Sequence, residues 1–276
     1  MDKRLLTIQD ISCVGQCSLT VALPLISACG IECGILPSSV LSNHTAKGFS
    51  GWTFKDLTDE MPNILAQWKK EKIDFDAFYT GYVSKSQIPH ILDIMKNAAR
   101  PGAIKIVDPA MADNGVLYAG FDADFPMEMK KLCQVADVIM PNITEAALLC
   151  NKKFKTSYDK AYIEDLCSDL HKAGSKNVII TGVTFEETKL GCAVYNGKDF
   201  NYYFTEKLPV AMHGTGDVYA SVVAGALMRG KPLLEAASLA CDFVVECIKK
   251  TLDDKDHWYG VKFEKAIPYL VERLAK

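Results

Sequence analysis

The sequence predicts an α/β fold in three layers, a central mostly parallel β-sheet between two layers of helices. Two observations predict it. Short β-type apolar runs alternate with longer helical ones through most of the chain. No stretch rich in Pro, Gly or Ser is long enough to act as a linker, and no repeat or low-complexity tract interrupts the pattern. With 276 residues, 49% of them hydrophobic and 24% charged, the chain can bury a sizeable core. One continuous domain over residues 1–276 is therefore expected.

In chain order, strands are expected at 5–9, 33–36, 77–80, 104–107, 138–140 and 178–180. Helices are expected between them at 19–29, 55–70, 87–98, 144–150 and 158–173. Residues 190–195 and 200–204, joined across Asn196-Gly197, have the pattern of an antiparallel hairpin. Three helices at 218–229, 233–250 and 263–274 close the chain, with Gly230 ending the first and Pro232 opening the second.

A formal net charge of -3 gives no reason to expect nucleic acid or an anionic membrane as partner. No apolar stretch reaches membrane-spanning length, and Met1-Asp2-Lys3-Arg4 leads directly into a strand, so a cytoplasmic protein is expected. The ten cysteines are scattered without a Cys-x-x-Cys pair, and buried reduced thiols are the expected reading. Cys13 and Cys17 stand apart, because they flank a glycine in a candidate binding loop.

The segment His213-Gly214-Thr215-Gly216-Asp217 before an apolar helix carries the most chemistry. Its glycines let successive N–H groups converge, and the following helix adds its positive end to the same point. A carboxylate there suits a base that takes a proton from an alcohol while the N–H groups hold a phosphoryl group. Its place on the first turn of a helix predicts a lowered pKa for Asp217. A weak base still suffices for a loose phosphoryl-transfer transition state, in which the hydroxyl loses its proton late. P-loop, Rossmann and nucleophile-elbow signatures are absent, as are H-E-x-x-H and Cys/His metal clusters. Ligands of open α/β sheets bind beyond the carboxyl ends of the strands. That rule selects Asp10, Asp108, Asn142 and Thr181.

Gly-Thr-Gly-Asp alone is no more than a loop and a helix start, but it has companions. They are Thr7-Ile8-Gln9, Ser42-Asn43-His44-Thr45, Thr80-Gly81-Tyr82, Asp108-Pro109 and Pro141-Asn142-x-x-Glu145. In this order and spacing the chain resembles pyridoxal kinases of the ribokinase superfamily over nearly its whole length. The resemblance implies a ribokinase-like sandwich, ATP and Mg²⁺ as cofactors, and a B6 vitamer as the alcohol; it leaves a monovalent cation such as K⁺ open. It implies Asp217 as the base and the Gly214, Thr215, Gly216 and Asp217 backbone as the anion hole. Asn142, Thr181 and Asp113 are similar to ATP-binding positions, with Glu145 and Asp113 on the metal side and Glu145 acting through metal-bound water. Thr45 and Tyr82 are similar to residues lining the pyridine pocket, although Tyr82 is equally readable as a core aromatic. A homodimer is implied in the same way. His44 and His213 are expected to shape the pocket, and His257-Trp258-Tyr259-Gly260 to pack as a cap.

Two departures stand out. Asp10 replaces a serine common in such kinases, which predicts a substrate-side carboxylate able to hold a cationic ring nitrogen or aminomethyl group. Met140 replaces a frequent threonine, predicting the loss of one polar nucleotide contact. Two other functions compete: a hydroxymethylpyrimidine kinase of thiamine synthesis, and a non-catalytic vitamin- or nucleotide-binding regulator. Retention of Asp217 with both glycines argues against the regulator, since a pure binder needs no base.

Overall fold

A computed structural model describes residues 3–45 and 48–275. Its organising element is β1 (Arg4–Ser12), in which Leu5 and Leu6 point to opposite faces and are both fully buried. Burial on both faces marks the interior strand of a parallel sheet. The chain then runs α1 (Leu19–Ala28), β2 (Glu32–Leu41), β3 (Phe54–Asp56), α2 (Glu60–Glu71), β4 (Phe75–Thr80), α3 (Ile88–Asn97) and β5 (Ala99–Val107). A small hairpin of β6 (Ala112–Asp113) and β7 (Val116–Leu117) precedes α4 (Phe125–Gln134), β8 (Val138–Ile139), α5 (Ile143–Leu149) and α6 (Lys160–Lys172). The last part holds β9 (Asn177–Val183), β10 (Lys189–Tyr195), β11 (Phe200–Glu206), α7 (Thr215–Met228), α8 (Leu233–Thr251) and α9 (Ile267–Ala275).

Over the described residues nine strands form one sheet in the order β11-β10-β9-β8-β5-β4-β1-β2-β3. The contacts from β2 through β9 are parallel, while β3, β10 and β11 run antiparallel at the two edges. Alternate strand residues feed two cores. Leu5, Tyr79 and Ile106 pack with Leu25, Val222 and Phe243 from α1, α7 and α8. Leu6, Phe78 and Val107 pack with Met61, Ile91, Phe125 and Ile163 on the opposite side. The expected three-layer α/β/α sandwich with a mostly parallel sheet is thus present. No helix among the described residues is long and apolar enough to cross a membrane.

Several boundaries differ from expectation. Residues 54–56 form an edge strand paired to β2, and an Asp56 carboxylate accepting from Thr58 N–H at 2.7 Å turns the chain, so the helix starts only at Glu60. Helix α4 escaped notice because Pro126 and two flanking acids look like loop, yet Phe125, Met129, Leu132 and Cys133 repeat at helical spacing and are buried. Pro is tolerated in a first turn, where its missing N–H has no intrahelical partner. The terminal helix is interrupted, with a short turn at Phe263–Lys265 before α9. Strand β1 runs on to Ser12, with a register shift between Gln9 and Ile11.

Phe125 is fully buried and stacks on Phe121, ring centroids 3.8 Å apart. Phe125→Ala is expected to cost about 3–5 kcal/mol, as for large-to-small core changes generally. A lower urea midpoint at unchanged slope is the measurement that checks it.

Candidate active site

The C-terminal ends of the parallel strands bring together residues far apart in sequence. Asp217 stands on the first turn of α7, behind Gly214 as N-cap. Gly214 has φ +76, and a Cβ there would come within 2.1 Å of the Gln16 carbonyl oxygen. Glycine is needed on both counts: the backbone is left-handed, and the β1–α1 loop passes against it. That loop in turn donates the Ser18 backbone N–H to the Asp217 carboxylate.

Other loops hold the β1–α1 loop in place. Gln16 Nε2 donates to Glu264 Oε1 at 2.8 Å, and Gln16 Oε1 lies 2.7 Å from His257 Nε2. The His44 ring packs so closely on Gly15 that a Cβ would approach it to 2.0 Å, and His44 Nε2 is 2.9 Å from the Tyr259 carbonyl. His213 is exposed, its ring centroid 5.5 Å from that of His44. Trp258 packs on Phe49 with centroids 4.8 Å apart. The histidines and the 257–260 segment therefore shape and cap the site, as expected.

Asn142 and Glu145 form a reciprocal cap on α5. Asn142 Oδ1 accepts from the Glu145 N–H at 3.0 Å, and the Asn142 N–H donates to Glu145 Oε2 at 2.8 Å. The other Glu145 oxygen accepts from the backbone N–H of Met111 at 3.0 Å and of Ala112 at 3.4 Å, while Asn142 Nδ2 donates to the Ala112 carbonyl at 2.7 Å. Both side chains are thus engaged in fixing the segment from Asp108 to Asp113. Thr181, half-buried in β9, bridges to Asn142, with its N–H donating to the Pro141 carbonyl at 3.0 Å. Met140 is buried in the core.

Asp108, at the end of β5, lies within reach of the charge of two other acids. Its carboxyl is raised well above the usual range by burial, then by Glu145 and Asp217. Burial pushes Glu145 up to about 7 against the pull of its three backbone N–H partners. Asp217 is also pushed up to about 7, first by burial and then by Asp10, against the Ser18 N–H. The lowered pKa expected for Asp217 is therefore incorrect. A helix terminus contributes a partial charge, whereas desolvation inside the cleft and a second carboxylate act on the full charge. Among the described residues, no lysine, arginine or histidine is among the main groups acting on these three acids.

The remaining candidates divide. Tyr82 is half-buried, its ring 5.0 Å from Phe121, and its hydroxyl is raised by burial and by Asp10. Asp113 is exposed and takes hydrogen bonds from Asn114 N–H and Nδ2 at 2.8 and 3.0 Å. Thr45 is exposed. Gly216 faces open space. Motif reasoning missed Tyr118, whose hydroxyl is raised by burial and by Glu145, Asp108, Asp113 and Asp217. Cys17, between Asp217 and Asp10 in its electrostatic surroundings, is likewise pushed up by burial and holds a proton.

A family model described as phosphomethylpyrimidine kinase matches residues 36–261. The chain belongs to this family. Its members among solved structures share the ribokinase-like architecture. A provisionally named phosphomethylpyrimidine kinase from Bacteroides thetaiotaomicron, crystallised with pyridoxal, is 37% identical, covering 98% of this chain and 96% of that one at a TM-score of 0.92. Pyridoxal kinase from Lactobacillus plantarum is 31% identical, covering 98% and 97% at a TM-score of 0.90. Pyridoxal kinase from Dictyostelium discoideum is 28% identical over 271 residues, 92% of this chain and 87% of that protein. The similarity to pyridoxal kinases seen in the motifs is borne out.

Two outcomes follow from the geometry. Gly214→Ala should lower kcat about 100-fold, the scale set by small displacements of a catalytic group, together with a lower melting temperature. For Asp217 the folded pKa lies above the unfolded one, so the native state holds the extra proton between about pH 4 and 7 and loses stability as pH rises through that window. Asp217→Asn should therefore be more stable than wild type at pH 8, by on the order of 1–3 kcal/mol, and show no such gain at pH 4. Parallel thermal melts at the two pH values test the sign.

Proposed function

We propose that this protein is an ATP-dependent kinase that phosphorylates the 5′-hydroxymethyl group of a B6 vitamer, as one kinase domain spanning the chain. The observation that carries this reading is Asp217, held by the Ser18 N–H at the start of α7 with a carboxyl near pKa 7. A base poised there can take a proton at neutral pH and release it again. The Gly214, Thr215, Gly216 and Asp217 backbone would steady the phosphoryl group in transit. Asn142 and Thr181 would bind ATP beside it, and Asp113 would meet its phosphates. Thr45, Tyr82 and Asp10 would face the ring.

The donor set fits Mg²⁺. Asp108, Glu145 and Asp217 share a desolvated region with no protein cation of the described residues among the main groups acting on them, which favours a divalent ion arriving with the nucleotide. Among the described residues no three His, Cys, Asp or Glu side chains converge as a metal cage, so phosphate oxygens and water would complete the coordination. When bound, Mg²⁺ would neutralise charge on the transferring phosphoryl group. Glu145, with its oxygens committed to backbone N–H groups, would meet the ion through water while keeping Asp108 and Asp113 in place.

Three further parts of the reading are proposed on lesser support. Free thiols at all ten cysteines suit the reducing cytoplasm. Exposed Trp52 and Phe54 beside the edge strand β3 suit a homodimer. A net charge of -3 speaks against nucleic acid. Hydroxymethylpyrimidine is the second reading of the substrate, favoured by the family's description; the similarity to pyridoxal kinases and to a Bacteroides protein crystallised with pyridoxal favours B6.

Incubation with Mg-ATP and each alcohol should give a pyridoxal, pyridoxine or pyridoxamine phosphate. Phosphorylation of hydroxymethylpyrimidine alone would reverse the choice, and no phosphorylated product at all would support a binding protein. Asp217→Asn should lower kcat by about 10²–10⁴ with ATP affinity nearly unchanged. The wild-type kcat/KM should rise with pH through about 7 as Asp217 loses its proton.

A further inference from the structure

Asp10 holds a charge that the phosphoryl-transfer step does not need. It lies at the register shift of β1, where the strand stops following β2 residue for residue. Its side chain is buried, and its carboxylate is solvated by hydroxyls: Ser12 Oγ donates at 2.9 Å, and the side chain of Ser18 donates as well. Among the described residues, no lysine, arginine or histidine is among the main groups acting on it. Hydroxyls satisfy hydrogen bonds but do not neutralise, and a buried carboxylate without a counter-charge is costly. Its charge reaches Asp217, Cys17 and Tyr82, which belong to three different segments around the cleft. Asp10 stands near the carboxyl end of β1, and a substrate ring bound beside Asp217 and Tyr82 would lie within reach of its charge.

We propose that Asp10 is a specificity-determining residue that pairs with a protonated amine on the substrate and so favours pyridoxamine over pyridoxal. This rests on the reading of the site as a B6-vitamer kinase. On these rings the aminomethyl substituent is on the carbon next to the one bearing the reacting hydroxymethyl group, whereas the ring nitrogen lies farther round. A carboxylate whose charge is felt by the base serving that hydroxyl is placed for the adjacent substituent. A protonated amine there donates charge-assisted hydrogen bonds and supplies the missing positive charge. The aldehyde of pyridoxal offers only an acceptor, which meets the lone pairs of Asp10 unfavourably. The hydroxyl of pyridoxine offers one neutral donor and falls between. The preference is thus set by what faces the carboxylate, independently of the transfer chemistry shared by all three.

The test is steady-state kinetics of wild type, Asp10→Ser and Asp10→Asn with pyridoxamine and pyridoxal at saturating Mg-ATP, with melting curves confirming that each variant is folded. The ratio of kcat/KM for pyridoxamine to that for pyridoxal should fall about 10- to 100-fold in both variants, the range for a lost charged hydrogen bond, mainly through KM. A ratio within about twofold of wild type in a folded variant overturns the proposal, since charged hydrogen bonds of ordinary strength exceed that. Calorimetric binding to the wild type provides a measurement independent of variant folding. Pyridoxamine should bind at least about tenfold tighter than its analogue with a methyl in place of the aminomethyl group, and equal affinities overturn the proposal. A wild type that binds with this preference but phosphorylates neither vitamer overturns the assigned activity and leaves the amine pairing standing.

Discussion

The desolvation of carboxylates at the C-terminal edge of the sheet, with no protein cation among the described residues to offset them, is the constraint on which the candidate site depends. Asp108, Glu145 and Asp217 arrive from β5, α5 and α7, and each is raised above its ordinary range chiefly by burial. A domain has only about 5–15 kcal/mol of net stability, so keeping several such groups together is a substantial local cost. It persists because the surrounding backbone leaves the side chains little choice of position. In the proposed function relief would come from the ligands, a nucleotide with its divalent ion bringing positive charge to the site. The same feature that weakens the empty protein thus favours the loaded one.

The positioning is done by loops that brace one another. Gly214 lets α7 begin against the Gln16 carbonyl, Gln16 is held by Glu264 and His257, and Gly15 accepts the His44 ring. On the other side, Glu145 and Asn142 tie the start of α5 to Met111 and Ala112. Asp217 is consequently held from the β1–α1 loop and Asp108 from a segment secured by α5. Two carboxylates placed by separate braces can be brought near each other without sharing a brace, an arrangement the proposed phosphoryl transfer would use. The solved relatives share this architecture at TM-scores of 0.90 and 0.92.

Much of this was legible in the chain. Alternation of strand and helix patterns identified the sandwich, because parallel strands buried on both faces must be continuously apolar. The cap of α5 was legible too, since Asn142 and Glu145 interact across three residues and need no tertiary context. Strand-end position pointed to Asp10, Asp108, Asn142 and Thr181 before any coordinates. The β3 edge strand was not legible: three exposed residues become a strand only through pairing with β2. Helix α4 was, in its buried spacing, but its proline and acids obscured it.

By itself the sequence determined the layer order and the nucleotide-side motifs and pointed to Asp217 as the proposed base, all of which depend on local pattern and residue type. Only the tertiary structure decided how that base behaves. At the start of an isolated helix Asp217 would be a stronger acid than usual; inside the cleft, burial and the approach of Asp10 make it a weaker one. Tyr118 joined the site for the same reason, through proximity to carboxylates from other elements. Desolvation and through-space charge depend on what the fold brings near, and no spacing along the chain records them.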